Sequence, residues 1–183
     1  MDFKHWKYFL LLEQDFINTM RYVELSPNNF QTYSIEYTKL ILTACSEIDI
    51  LCKQLCSIIG NDKADNIKDY ETCILTKYPK FFSNTITLTP EITLTPWANW
   101  QNNASPKWWK DYNAIKHERI NNFEKSNLFT TINCLSALML TNLYYSKALY
   151  GLFPDQSTNL FDDNYFPARR ITETGSKILC DFK

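Results

Sequence analysis

The chain has 183 residues, a hydrophobic content of 45%, an aromatic content of 15% and a net charge of −1. That length supports one domain with a substantial core, and the composition excludes a disordered chain. The near-neutral charge excludes a global pull towards nucleic acid or membrane, so a polyanion would have to meet a local patch.

Only three glycines occur, which argues against glycine-rich phosphate loops and for helices. The six cysteines are Cys45, Cys52, Cys56, Cys73, Cys134 and Cys180. Three of them fall on one predicted helix, where a thiol serves as a small apolar filler. The opening MDFKHWKYFLLLEQDF has a short apolar run, but acids follow at once and no small-residue cleavage site appears. The expectation is a reducing, cytoplasmic compartment with free thiols. Cys52 and Cys56 stand four residues apart, yet no His or Cys pair elsewhere has matching ligand spacing. Neither a metal nor a cofactor is expected.

The first helix is predicted over Lys4 to Val23, where Phe9, Phe16, Met20 and Val23 recur at helical spacing beside Trp6, Leu12 and Ile17. It ends in the turn-rich ELSPNNFQTYS. The second is predicted from Ser34, a good N-cap, to Ile59, with Glu36 in the first turn and Gly60 as the stop. Its apolar face carries Tyr37, Leu40, Ile41, Ala44, Ile48, Leu51, Leu55 and Ile59. Glu47 and Asp49 lie at the two margins of that face, where a carboxylate is costly unless paired.

A shorter helix is predicted over Ala64 to Thr76. The pentapeptide Ile-Thr-Leu-Thr-Pro then occurs at 86–90 and again at 92–96. Alternating β-branched residues closed by proline predict two short extended pieces. The stretch 83–100 reads as a surface insertion, a small hairpin, anchored on its return by Trp97 and Trp100. Ser105 as N-cap and Pro106 at the first helical position predict another helix, to about Asn122. A break at Glu124-Lys125-Ser126 precedes the last, about Asn127 to Leu149, ended by Gly151 and Pro154. From Leu128 to Ser146 it carries no formal charge, a length at the lower limit for a membrane span. Six interspersed Thr, Asn and Ser residues, and amphipathic partners in the same chain, favour a buried central helix and no membrane. The tail 155–183 has little periodicity; Phe161, Tyr165 and Phe166 are its candidate anchors and Arg169-Arg170 a solvated pair. The whole reads as one domain over 1–183, all-α, an up-and-down bundle of four to five helices.

Chemistry concentrates in SPKWWKDYNAIKHERINNF, residues 105–123. On a helical wheel Trp108, Tyr112, Ile115 and Phe123 form the apolar face, extended by Trp109 and Ile120. Lys110, Asn113 and His117 share a different face. A solvated surface is the plain reading of those three. The functional reading is phosphate handling: His transfers protons near neutral pH, Lys neutralises a phosphoryl oxygen and Asn orients. Arg119 projects into the apolar face and so needs a carboxylate. Glu47 is the expected partner, with Glu24 and Asp49 as alternatives.

The segment WWKDYNAIKHER, on a later helix of a long-helix chain with a polar residue in its second long helix, resembles the basic-plus-His motif of the HEPN superfamily. That motif is Arg, four to six residues, then His; here Lys110 precedes His117 with Asn113 between. Lys is a point charge where Arg is a planar fork, so the chain departs from the pattern at that position. HEPN domains are small, all-α, often dimeric, frequent in toxin–antitoxin and phage-defence systems, and many are metal-independent ribonucleases. The resemblance therefore implies RNA as substrate, a homodimer, and cleavage by the substrate's own 2′-OH. It implies His117 as general base or acid, Lys110 or Lys116 against the phosphorane charge, Asn113 in positioning, and Glu47 as support for the basic cluster. The alternative is a non-catalytic helical protein of the same architecture, an interaction or antitoxin-like partner.

Overall fold

A computed structural model describes residues 3–154 and Thr158. The predicted anchors Phe161, Tyr165 and Phe166 and the Arg169-Arg170 pair lie outside the described residues. Among the described residues five α-helices and one two-stranded hairpin follow in the order α1 (Lys4–Thr19), α2 (Ile35–Ile58), α3 (Ile67–Lys77), β1 (Ile86–Thr89), β2 (Ile92–Leu94), α4 (Lys107–Glu118) and α5 (Leu128–Tyr150). The described part of the protein is all-α apart from that hairpin.

Local chemistry sets most boundaries. Ser34 Oγ accepts from the Tyr37 N–H at 3.1 Å and starts α2. Gly60 ends it at φ +101°, with Asn61 N–H donating to the Cys56 carbonyl and Gly60 N–H to that of Ser57. This is the paired arrangement in which a left-handed residue closes a helix. Asn127 Oδ1 accepts from Thr130 N–H at 2.9 Å at the start of α5, and Gly151 closes it at φ +71°. Asn66 accepts from the N–H groups of Lys68 and Asp69, so α3 begins there and not at Ala64. α1 stops at Thr19, short of Val23, because Met20 and Tyr22 are exposed and give no core contact to extend it.

α2 and α5 are the central pair. Cys45 packs on Cys134 with the sulfurs 3.4 Å apart, and Ser34 N–H bonds the Ser126 carbonyl just before α5. The two helices therefore run in the same direction. α1 runs against both, since Phe3 meets Tyr150 and His5 meets Glu47. α4 packs on the start of α5, where Thr130 Oγ1 donates to Asp111 Oδ2. In the bundle α1 thus runs one way and α2 and α5 the other, with α3 and α4 packed on α2. α5 is buried along most of its length, which removes its apolar surface from water. Among the described residues no helix is long and apolar enough to cross a membrane.

The hairpin forms where the repeated pentapeptide predicts it, antiparallel, with Ile86 opposite Leu94 and Thr87 opposite Thr93. It lies at the surface, but one of its faces belongs to the core. Ile86, Leu88, Ile92 and Leu94 all point into the core, and the threonines point out. Trp97 and Trp100, with ring centroids 4.3 Å apart, are fully enclosed beneath it and pack on Phe81.

Candidate functional site

α4 carries the candidate chemistry, and its ends differ from expectation. Pro106 occupies the cap position with extended ψ of 145°, and its carbonyl accepts from Trp109 and Lys110; Ser105 makes no side-chain cap. The helix ends at Glu118, whose φ of −147° and ψ of 58° break the register. A 3-10 turn over Arg119–Asn121 follows.

Upstream of that break the wheel holds. Trp108, Tyr112 and Ile115 are buried, as is Trp109. Lys110 and His117 are exposed and Asn113 is half-buried, its Nδ2 donating to the Trp109 carbonyl at 3.0 Å. Lys116 is exposed and its Nζ lies 5.5 Å from the Tyr112 ring centroid, a cation–π distance.

Downstream the wheel fails. Arg119 is exposed and Ile120 is 91% exposed, because the turn at Glu118 rotates both away from the apolar stripe. The expected Arg119–Glu47 ion pair is not formed. Glu47 instead lies 2.5 Å from His5 Nδ1, and His5 Nε2 lies 3.1 Å from Gln54 Oε1. Asp49 accepts from the Tyr70 hydroxyl at 3.0 Å. Burial first, then that carboxylate, holds the Tyr70 phenol well above its ordinary value.

His5 is the functional-type residue that the wheel of the fourth helix cannot supply. A signal for it exists in the sequence: His5, Phe9, Leu12 and Phe16 share the helical stripe of α1, so this histidine faces the core margin. Its ring stands edge-on to Tyr145 with centroids 5.2 Å apart. Both ring nitrogens have partners, so it joins helices rather than meeting a ligand.

Among the described residues several concavities are formed, three of them as follows. A groove of about 510 Å³ runs between the end of α1 and the start of α2. One of about 320 Å³ lies beside His5, Tyr145 and Tyr150. One of about 260 Å³ opens between the hairpin, α4 and α5 and contains Lys107 and Asp111. Lys110, Asn113 and His117 line none of the three. They form an open polar stripe in which Lys110 carries the fixed positive charge. Such a stripe can attract a phosphate backbone and present an imidazole to it.

No protein-family model matches the chain, and neither the curated proteins nor the solved structures contain a significant match.

Proposed function

We propose that the chain is a HEPN-like helical protein that engages RNA through the solvent face of α4 and cleaves it without a metal ion. The observation that supports this reading is a set of basic side chains without acidic partners. Lys110, Lys116, His117 and Arg119 have no carboxylate partner among the described residues. On α4 Asp111 is paired with Lys107, and Glu118 keeps its charge while accepting from Asn121 Nδ2. Positive charge at that face is therefore available to phosphate.

In the reaction, the substrate's 2′-oxygen attacks the adjacent phosphorus as the 5′-oxygen leaves. His117 takes the 2′ proton or delivers one to the leaving oxygen. Lys110 or Lys116 faces the charge that develops on the phosphorane oxygens, and Asn113 positions. Glu47 plays no part, since His5 occupies it. Because the stripe is open, a second protomer supplies the opposing wall, and the active form is a homodimer. A cytoplasmic place in a toxin–antitoxin or phage-defence system goes with this reading; the five described cysteines are free thiols.

The test is cleavage of single-stranded RNA in a chelator by wild type and by His117→Ala, with mass measured by light scattering. Loss of cleavage in a folded variant supports the proposal. Equal cleavage by the two, or none by wild type, refutes it.

A second reading, a non-catalytic interaction or antitoxin-like protein, is favoured by one detail. Neither ring nitrogen of His117 has a hydrogen-bond partner among the described residues, so nothing in the protomer fixes its tautomer. On that reading His117→Ala is silent and a protein partner co-purifies.

A further inference from the structure

The largest of the three concavities, about 510 Å³, is the groove between the end of α1 and the start of α2. Its volume lies within the roughly 300–1,000 Å³ of small-molecule sites. Leu12, Tyr37 and Leu40 are buried and form its floor. Tyr37 is 1% exposed, and its hydroxyl has no hydrogen-bond partner among the described residues. Thr19 is the polar side chain beside it, but Thr19 Oγ1 donates to the Phe16 carbonyl at 2.6 Å. The phenol oxygen is thus left without a donor, which is costly in an enclosed place. Burial raises the Tyr37 phenol above its ordinary value, against a smaller opposing pull from Thr19, so the floor is uncharged at neutral pH.

The rim narrows the kind of ligand. Asp15, Glu36 and Lys39 are its charged residues, two acids against one base. Lys39 Nζ donates to Glu36 Oε2 at 2.7 Å and feels Glu36 ahead of Asp15, so the base is engaged by one of the acids. Asp15 is exposed and has no hydrogen bond or ion pair among the described residues. It stands one helical turn before Thr19, so its carboxylate and the Tyr37 hydroxyl flank one position. Tyr22 stands at the same rim, 88% exposed, its ring open to a cation. A carboxylate or phosphate would meet Asp15 as a like charge, and a neutral group would leave it unpaired.

We propose that this groove binds a small amphipathic primary amine, an apolar chain or ring carrying one ammonium group. The ammonium donates to Asp15 and lies against the ring of Tyr22. Another of its three N–H groups turns inward and gives the Tyr37 oxygen the donor it lacks. The apolar body lies along Leu12 and Leu40, out of water. None of Lys110, Asn113 or His117 lines the groove, so its ligand is independent of the RNA reading.

The experiment titrates the full-length protein by calorimetry near neutral pH with octylammonium, 1-octanol and octanoate, which share one chain and differ in charge. Octylammonium binds. 1-Octanol binds about tenfold more weakly, the factor for a lost charge-assisted hydrogen bond, and octanoate more weakly still. Asp15→Asn lowers octylammonium affinity about tenfold and leaves that of 1-octanol unchanged. Tyr22→Ala lowers octylammonium affinity about threefold, in the range for a cation over an exposed ring. Tyr37→Phe lowers it about threefold or more without loss of thermal stability. Asp15 and Tyr22 are exposed, so those two variants keep the wild-type circular dichroism spectrum. Should Tyr37→Phe fail to fold, Asp15→Asn decides. Equal affinity for octylammonium and octanoate, no octylammonium binding at millimolar concentration, or wild-type octylammonium affinity in Asp15→Asn overturns the proposal.

Discussion

His5 Nδ1 lies 2.5 Å from Glu47 Oε1, and this contact ties the first turn of α1 to the middle of α2. The Glu47 side chain is 11% exposed and that of His5 24%. Removing the imidazole or the carboxylate leaves the other group poorly solvated. Glu47→Ala should lower stability by about 1–3 kcal/mol, the range for a partner left unsatisfied on burial. Arg119→Ala should fall within about 0.5 kcal/mol of wild type, as an exposed substitution does. Urea midpoints of the two variants check the pair. The opposite order would restore an internal role for Arg119.

Lys110 tests the phosphate reading apart from catalysis. Lys110→Ala should weaken binding to a uridine homopolymer and lower the slope of log affinity against log salt by about 1. Glu36 and Lys39, paired to each other at 2.7 Å on the exposed start of α2, give a control. Lys39→Ala should leave both affinity and slope unchanged.

The buried thiols predict the alkaline limit. Burial pushes Cys45, Cys52 and Cys56 well above the ordinary thiol range, and Tyr70 above the ordinary phenol range. A raised value in the fold means the unfolded chain loses its proton first. The stability is fully present below the unfolded values, about 8.5 for thiols and about 10 for tyrosine, and declines as pH rises beyond them. Denaturation midpoints should be flat up to about pH 8 and fall above pH 8.5. At neutral pH a thiol reagent should reach the half-buried Cys73 before Cys45 or Cys52, which should react only on unfolding.

Trp97 tests whether the hairpin belongs to the core. Its ring lies 5.3 Å from Phe81 and 5.0 Å from Trp108 by centroid, and it is 0% exposed. Trp97→Ala should cost about 3–5 kcal/mol. Thr93→Ala, on the outer face, should cost no more than about 1 kcal/mol. Equal small losses in thermal melts would show that it does not.

Much of the bundle was legible because local signals act over a few residues. Ser34, Gly60, Asn127 and Gly151 set helix ends by caps and by the left-handed backbone, which depend on near neighbours. The burial of Trp108, Tyr112 and Ile115, and the exposure of Lys110 and His117, follow from the 3.6-residue period. The same period misled at Arg119 and Ile120. It assumes a continuous helix, and one residue, Glu118, leaves helical geometry.

By itself, then, the sequence determined the helical class, the pentapeptide hairpin and which part of α4 meets water. Tertiary structure decided which carboxylate meets which partner. Glu47 is paired by a residue 42 positions earlier, and Asp111 shares its cleft with Asn133 of another helix. Periodicity reports which face of an element is buried, but it carries no information on what lies across from that face. Such pairings follow from the packing of whole helices, where distance along the chain is no guide.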